Sequence, residues 1–172
     1  MSFAGIDVDD DPRYTTRGAL HVPAGEGVEK WVNGSAYTMK VTRASTTGSV
    51  GFVEATVPPG GGPTPHVHRN EDEIFYLLGG ELEFLDGDRT FIAGPGDFIF
   101  VPRNHRHRFT NVSSEMARML FLFTPGGPEQ FFVEAGDDPV PGGQPAVWEM
   151  ERVMGTAHLA GQVGMDMLPD RP

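Results

Sequence analysis

Hydrophobic and polar residues alternate in short segments through the first two thirds of the chain. The alternation is clear over residues 37–42 and again over residues 53–57, and a period of two is typical of half-buried β-strands. Turn residues separate the segments, above all Asn33-Gly34 and Asp86-Gly87-Asp88, which favour tight connections between strands. Strands at a spacing of roughly ten residues predict an all-β antiparallel barrel or double-sheet roll.

Two segments break the alternation because they are apolar at successive positions. They are Ile74–Leu78 and Phe98–Val101. Continuous apolar runs of this length are typical of strands covered on both sides. We therefore expect both segments to be buried on both faces.

The pattern becomes helical after Gly127. Pro128 suits a first helical position, residues 129–135 suit a short helix, and Gly136 suits its end. Apolar residues recur at intervals of three and four in a second segment, residues 146–164. These patterns predict one or two C-terminal helices, packed outside the barrel or against a neighbouring subunit.

The length of 172 residues suits a single domain. Residues 1–17 are acidic and without periodicity, and we expect a flexible N-terminal arm there. The predicted barrel covers residues 18–127, and a helical extension covers residues 128–172.

The charge and composition exclude several classes of function. The formal net charge is −11, and so acidic a surface is repelled by nucleic-acid phosphates and by anionic lipid. No apolar run approaches the roughly 20 residues that span a bilayer, and the first residues do not resemble a secretory signal. The chain has no cysteine, which excludes disulfides and thiolate metal sites. We expect a cytoplasmic protein that binds neither nucleic acid nor membrane.

Four of the six histidines stand in two close pairs, His66 with His68 and His105 with His107. Residues two apart on a strand project from the same face, and three acidic residues follow the first pair at positions 71–73. Imidazoles together with a carboxylate suit a divalent first-row metal. The alternative is that histidines beside a charged turn are solvated and bind nothing.

The spacing around the first pair forms a longer motif, Gly60-x5-His66-x-His68-x4-Glu73-x6-Gly80. Glycines at both ends of such a motif are typical of turns that bound short strands. Any one of the three acidic residues at positions 71–73 could add a carboxylate to the pair.

A second motif reads Gly96-x5-Pro102-x-Asn104-x2-His107-x3-Asn111. Together the two motifs resemble those of the cupin superfamily, over residues 60–111. The second departs from the family pattern at Asn104, where glycine is usual. Asparagine tolerates a left-handed backbone better than most residues, so the resemblance stands.

The cupin resemblance implies an antiparallel jelly-roll barrel, or double-stranded β-helix, that holds one metal ion inside. His66, His68, Glu73 and His107 occupy the positions of the family's ligands. The ion implied is divalent Ni, Mn, Fe or Co, with Zn or Cu also open.

The other polar residues near the motifs have simpler expected roles. Glu71 and Asp72 should be solvated, His105 should be exposed, and Asp97 should bond to the backbone of its own turn. Five phenylalanines flank the motif strands and are candidates to line an aromatic pocket: Phe75, Phe100, Phe109, Phe121 and Phe123.

The end of the barrel, residues 124–132, resembles that of the bacterial quercetin 2,3-dioxygenase-like single-domain cupins. This resemblance implies insertion of dioxygen into the C-ring of a flavonol with release of carbon monoxide. In that reaction, the glutamate ligand of these cupins takes the hydroxyl proton of the substrate, and the resemblance implies the same role for Glu73. The implied partners are a small aromatic or enol(ate) substrate and, in this reaction, O2.

Two other functions remain open from the sequence. One is a cupin that uses its metal as a Lewis acid without oxygen chemistry, as polyketide cyclases and isomerases do. The other is a non-enzymatic protein that binds a small molecule in the same pocket. The resemblance also implies a homodimer.

Overall fold

A computed structural model describes residues 19–169. The predicted N-terminal arm, residues 1–17, lies outside the described residues. The described part contains the following strands and helices: β1 (Val28–Val32), β2 (Ser35–Val41), β3 (Gly51–Val57), β4 (His66–His68), β5 (Asp72–Gly79), β6 (Leu82–Asp86), β7 (Arg89–Ala93), β8 (Phe98–Val101), β9 (His107–Asn111), β10 (Ala117–Thr124), α1 (Glu129–Ala135), α2 (Met150–Gly155), α3 (Ala157–Gln162) and β11 (Met165–Met167).

The strands form two antiparallel sheets. One has six strands in the order β1-β2-β3-β10-β5-β8, and the other has five in the order β11-β4-β9-β6-β7. Neighbouring strands in each sheet are often distant in sequence, such as β10 between β3 and β5. This topology is that of a jelly-roll barrel, so the predicted fold class is confirmed.

The alternating segments behave as predicted. Met39, Val53 and Val57 point inward and are almost fully buried. The β1–β2 hairpin turns at Asn33 and Gly34, which have φ values of 45° and 83°. Two positive φ values in succession are what a type I′ hairpin turn requires, and asparagine followed by glycine best satisfies them.

The expectation that the two continuous apolar segments are buried on both faces is wrong. In the Ile74–Leu78 segment Phe75 is 1% exposed, but on the neighbouring strand β8 Phe98 and Phe100 are 63% and 52% exposed. Only one face of these strands packs into the barrel, because no layer of the described chain covers the outer face. The predicted homodimer stays a prediction.

The C-terminal part differs from the prediction in one element. Helix α1 has the predicted bounds, whereas the predicted segment 146–164 contains two short helices, α2 and α3, with Thr156 between them. The Thr156 hydroxyl donates a hydrogen bond to the Val153 carbonyl oxygen at 2.7 Å, a local bond that competes with regular helix. The chain then returns to the barrel as β11, paired with β4. None of the described helices has the length and apolar character to cross a membrane.

Candidate metal centre

Four buried side chains meet between the two sheets. His66 and His68 come from β4 and His107 comes from β9, all in the five-stranded sheet, while Glu73 comes from β5 in the six-stranded sheet. One ligand atom from each lies within 4.8 Å of the others. The structure thus brings together all four residues that the motifs selected.

Strand pairing explains how these residues meet. His66 lies directly opposite His107 on antiparallel neighbours, and His68 projects from the same face as His66 because it is two residues further along the strand. The loop before β9 is held against β4, since the Asn104 N–H donates to the His68 carbonyl oxygen at 2.7 Å. Asn104 has a φ of 63°, so the predicted left-handed backbone is confirmed.

Backbone carbonyls orient two of the three imidazoles. His66 Nδ1 lies 2.9 Å from the Thr64 carbonyl oxygen, and His107 Nδ1 lies 2.9 Å from the His105 carbonyl oxygen. A carbonyl oxygen can only accept, so each Nδ1 carries a proton, and Nε2 is the nitrogen of each ring left to bind a metal ion. His107 Nε2 points toward the centre, 2.8 Å from Glu73 Oε2.

His68 is the third imidazole of the cluster, and no backbone carbonyl accepts a hydrogen bond from its ring. Its Nε2 lies 3.1 Å from Glu73 Oε2, yet neither ring nitrogen makes a hydrogen bond although both are buried. A buried nitrogen without a partner is costly, and a cation at the centre would satisfy Nε2. Three imidazole nitrogens and one carboxylate also form a donor set that borderline divalent metals prefer. The residues therefore fit a metal ion.

The pKa values follow from burial and from proximity. Burial, together with the charges of His107 and His68, lowers the pKa of His66 to about 3. Burial alone would raise the pKa of Glu73, but the charge of His68 and the hydrogen bond from His107 outweigh it and hold that pKa below its ordinary value. Burial opposes protonation of His107, but the hydrogen bond to Glu73 raises its pKa above the ordinary value. Without a metal, the cluster therefore favours an ionised Glu73 and makes His107 harder to deprotonate than a free imidazole.

A cavity of about 140 Å³ adjoins the cluster, and His66, His68 and Glu73 form part of its wall. The rest of the wall is mainly apolar and aromatic. Its aromatic residues are Tyr37, Phe75, Phe109, Phe121, Phe123, Phe131, Phe132 and Trp148.

The predicted aromatic lining is confirmed for four of the five phenylalanines. Phe100 is the exception, because it points away from the barrel and is half exposed. The contributions of Phe131, Phe132 and Trp148 were not predicted, since they depend on the C-terminal segment folding back across the cavity. The helical pattern of residues 129–135 indicated a helix but not the surface against which it packs.

Ser35 and Tyr37 are polar cavity residues that the sequence analysis missed. They lie two apart on β2 and are both buried. Burial raises the pKa of the Tyr37 phenol to about 12, with the Ser35 hydrogen bond opposing the shift and the charge of Glu73 adding to it. Tyr37 is thus a neutral phenol that can donate a hydrogen bond into the cavity. In the sequence, Ser35 and Tyr37 lie four and two residues before Met39, so the alternation of a strand places all three side chains on the same face. This spacing was the signal that could have identified them.

The acidic residues beside the cluster differ in their environments. Glu71 was expected to be solvated, and that expectation is wrong, because it is only 3% exposed. Burial raises its pKa, opposed mainly by the charge of His68. Asp72 faces the surface and pairs with Arg103 at 3.0 Å.

His105 and Asp97 behave as expected. His105 lies outside the cluster, partly exposed, with its Nε2 2.6 Å from Asp86 Oδ1. Asp97 Oδ2 accepts a hydrogen bond from the Gly94 N–H at 2.8 Å, within its own turn.

Comparison with known proteins agrees with this geometry. A family model described as "Cupin domain" matches residues 53–123. The polyketide synthase CurC of Streptomyces cyaneus is 38% identical over 90 residues, which are 52% of this chain and 56% of that protein. The quercetin 2,3-dioxygenase of Bacillus subtilis is 28% identical over 114 residues, which are 66% of this chain and 34% of that protein. The chain therefore matches about half of the first relative's length and a third of the second's.

A solved structure shows the same fold. A predicted oxalate decarboxylase from Thermotoga maritima superposes with a TM-score of 0.58 at 20% identity, over 62% of this chain and 99% of that one. At this identity the likeness concerns the fold of the barrel alone.

Proposed function

Because this chain belongs to the cupin superfamily, we propose that it is a metal-dependent dioxygenase acting on a flavonol-like or other aromatic enol substrate. One observation carries the proposal. The only cluster of metal-ligating side chains among residues 19–169 forms one wall of a cavity that is otherwise lined mainly by aromatic rings.

The proposed ligands are His66, His68, Glu73 and His107, which would hold one divalent ion per chain: Mn, Fe, Co or Ni. Such an ion supplies a positive charge that stabilises an enolate or phenolate oxygen, and open positions for a substrate. The Nδ1 bonds of His66 and His107 leave their Nε2 lone pairs available for this role.

Glu73 is the proposed proton acceptor. A general base must be unprotonated at the working pH and must lie within reach of the acidic hydroxyl. The low pKa of Glu73 keeps it ionised, and its carboxylate belongs to the wall of the cavity. We propose that it takes the proton of a substrate hydroxyl and so generates the enolate.

The walls of the cavity select for the substrate. Phe75, Phe109 and Phe121 favour a flat aromatic molecule, because aromatic rings gain from offset and edge-to-face contacts. Tyr37 is placed to donate a hydrogen bond to a second oxygen of that molecule, since its phenol remains neutral. A flavonol combines a flat ring system with several oxygens. The 28% identity to the quercetin 2,3-dioxygenase of Bacillus subtilis supports this choice.

A second candidate is a metal-dependent cyclase or isomerase of aromatic polyketides that does not use O2. The observation that favours it is the 38% identity to the polyketide synthase CurC. The same residues would serve, with the cavity holding an enolate while it cyclises. Consumption of O2 separates the two candidates.

The test is to purify the full chain without added metal or chelator, to measure its metal content, and to follow oxygen uptake with quercetin under air. The dioxygenase predicts one Mn, Fe, Co or Ni ion per chain and oxygen uptake matched to substrate loss. The Glu73→Ala variant should lose turnover, while the control Glu54→Ala should keep it, because Glu54 is exposed on the outer face of β3. Bound metal without oxygen uptake would contradict the dioxygenase and would favour the cyclase or a binding protein.

A further inference from the structure

We propose that Trp148 is the specificity-determining residue of the cavity, and that its indole contacts the part of the substrate that does not bind the metal. Asp137 and Arg152 are positioning residues that hold the indole in place. The inference rests on the proposed function, because it takes the substrate to be a flat aromatic enol. It adds a contact from the C-terminal segment, which lies outside the residues 53–123 that the cupin model matches.

Trp148 forms part of the cavity wall although it lies in the C-terminal segment rather than in a strand of the barrel. The residue is 8% exposed, and it lines the cavity together with Val153 and Thr156 of the same segment. Its backbone N–H donates to Asn33 Oδ1 at 2.9 Å, which fixes the segment against the turn between β1 and β2. One side of the cavity is therefore closed by a side chain that no strand supplies.

The indole is held by an ion pair. Trp148 Nε1–H donates to Asp137 Oδ2 at 3.2 Å, and the Arg152 guanidinium donates to Asp137 Oδ1 at 2.8 Å. The guanidinium also lies over the indole, 3.9 Å from the ring centroid. Asp137 is fixed to the barrel in turn, because its backbone and that of Trp31 in β1 exchange two hydrogen bonds of 2.9 Å. These contacts give the indole a defined orientation.

The same contacts leave one side of the indole available to a ligand. Arg152 is not part of the cavity wall, so the cavity meets the ring on a side that the guanidinium does not cover. Phe132, by contrast, already packs against Tyr37 and Phe121, with ring centroids 4.4 and 5.7 Å apart. Over the described residues, the ring contact of Trp148 is with Arg152 and not with another aromatic side chain. A substrate ring can fill this place in an offset or edge-to-face contact.

A flavonol offers two groups that this cavity would bind separately. Its hydroxyketone chelates a metal ion, and the proposed ligands for that ion come from β4, β5 and β9. Its further aromatic rings need an aromatic wall, which Trp148 supplies beside the β1–β2 turn. Maltol, a small hydroxypyranone, carries the same chelating group without those further rings. Trp148 should therefore matter for binding of a flavonol and not for binding of maltol.

The expected effects follow from the contacts that each variant loses. Trp148→Ala removes the aromatic contact and the apolar area buried with it, and should raise the Kd of quercetin at least about tenfold. Trp148→Phe should lose less, because it retains a ring. Asp137→Ala removes the acceptor of the indole N–H and should raise that Kd roughly fivefold. Arg152→Ala should act in the same direction, because it uncovers the indole and leaves it mobile.

The measurement is the Kd of quercetin and of maltol for the Co²⁺-loaded full chain, by calorimetric titration without O2, after the Co²⁺ content of each protein has been measured. Trp148→Ala, Asp137→Ala and Arg152→Ala should weaken quercetin binding and leave maltol binding and Co²⁺ content unchanged. The control Met150→Ala should change neither Kd, because Met150 is 70% exposed and does not line the cavity. Trp148→Leu keeps an apolar side chain without a ring, and it should also weaken quercetin binding alone if Trp148→Ala does not fold.

The pair of ligands separates a specific contact from a structural one. A local collapse would weaken both ligands together, so equal losses for quercetin and maltol would overturn the role of Trp148. Quercetin binding as tight in Trp148→Ala and Trp148→Leu as in the wild type would also overturn it, while leaving the proposed function intact. A Co²⁺-loaded wild type that binds neither ligand would contradict the proposed function itself.

Discussion

Metal binding should release one proton from the cluster near neutral pH, and the source should be His107. In the metal-free protein, the hydrogen bond to Glu73 raises the pKa of His107. A metal ion requires the lone pair that this proton occupies, so binding displaces the proton. His66 and Glu73 contribute none, because burial and neighbouring charge keep His66 neutral at a pKa of about 3 and the charge of His68 and the bond from His107 keep Glu73 ionised.

The magnitude follows from the proton count. Release of one proton changes the apparent dissociation constant about tenfold per pH unit, which corresponds to about 1.4 kcal/mol. The affinity should therefore rise with pH up to the raised pKa of His107 and then level off. The affinity rises with pH because a protonated His107 cannot bind the metal ion.

The assay is isothermal titration calorimetry of Co²⁺ binding at pH 7 in two buffers with different ionisation enthalpies. The difference in observed heat gives the number of protons released, and repeats at higher pH should bring that number toward zero. The control His105→Gln should leave the proton count unchanged, because His105 lies outside the cluster beside Asp86. No proton release at pH 7, with an affinity independent of pH, would refute this account of His107.

Two further predictions concern the cavity wall and the barrel. Tyr37→Phe should retain full metal content but lower kcat/KM, because it removes one neutral hydrogen bond worth about 1 kcal/mol, or roughly fivefold; steady-state kinetics with quercetin checks this, and an unchanged kcat/KM would contradict it. Gly51→Ala should lower the melting temperature, because a Cβ there would overlap the buried Glu129 carboxylate, which accepts hydrogen bonds from the backbone N–H groups of residues 43 and 127. Gly79→Ala is the matched control for thermal denaturation, since a Cβ at Gly79 meets nothing within 4 Å, and equal melting temperatures for the two variants would contradict the reasoning.

The strand pattern and the two motifs carried most of the information about the site. Two histidines at adjacent same-face positions project together on any strand. The loop that ends with Asn104 then sets where His107 enters the next strand. This local rule places His66 and His68 together, whereas the choice of Glu73 and His107 as their partners was what the cupin resemblance implied.

What the sequence could not predict depends on segments that are distant along the chain. Glu71 is buried because the turns at Gly127 and Gly164 fold over it, and nothing near position 71 indicates that. The sequence predicted that Phe98 and Phe100 are buried, whereas both are exposed. The prediction failed because a run of apolar residues does not show which face of a sheet remains uncovered. The strand β11 is three residues long, which is too short to produce a period.

The most direct test of the central claim is the metal content of the chain purified without chelator, compared among the wild type, His107→Ala and His105→Ala. His107 is buried in the cluster and His105 lies outside it, so the two variants remove the same side chain from sites with different predicted roles. The account predicts one divalent ion per chain in the wild type and in His105→Ala, and none in His107→Ala. No metal in the wild type after reconstitution, or equal metal content in all three proteins, would contradict it.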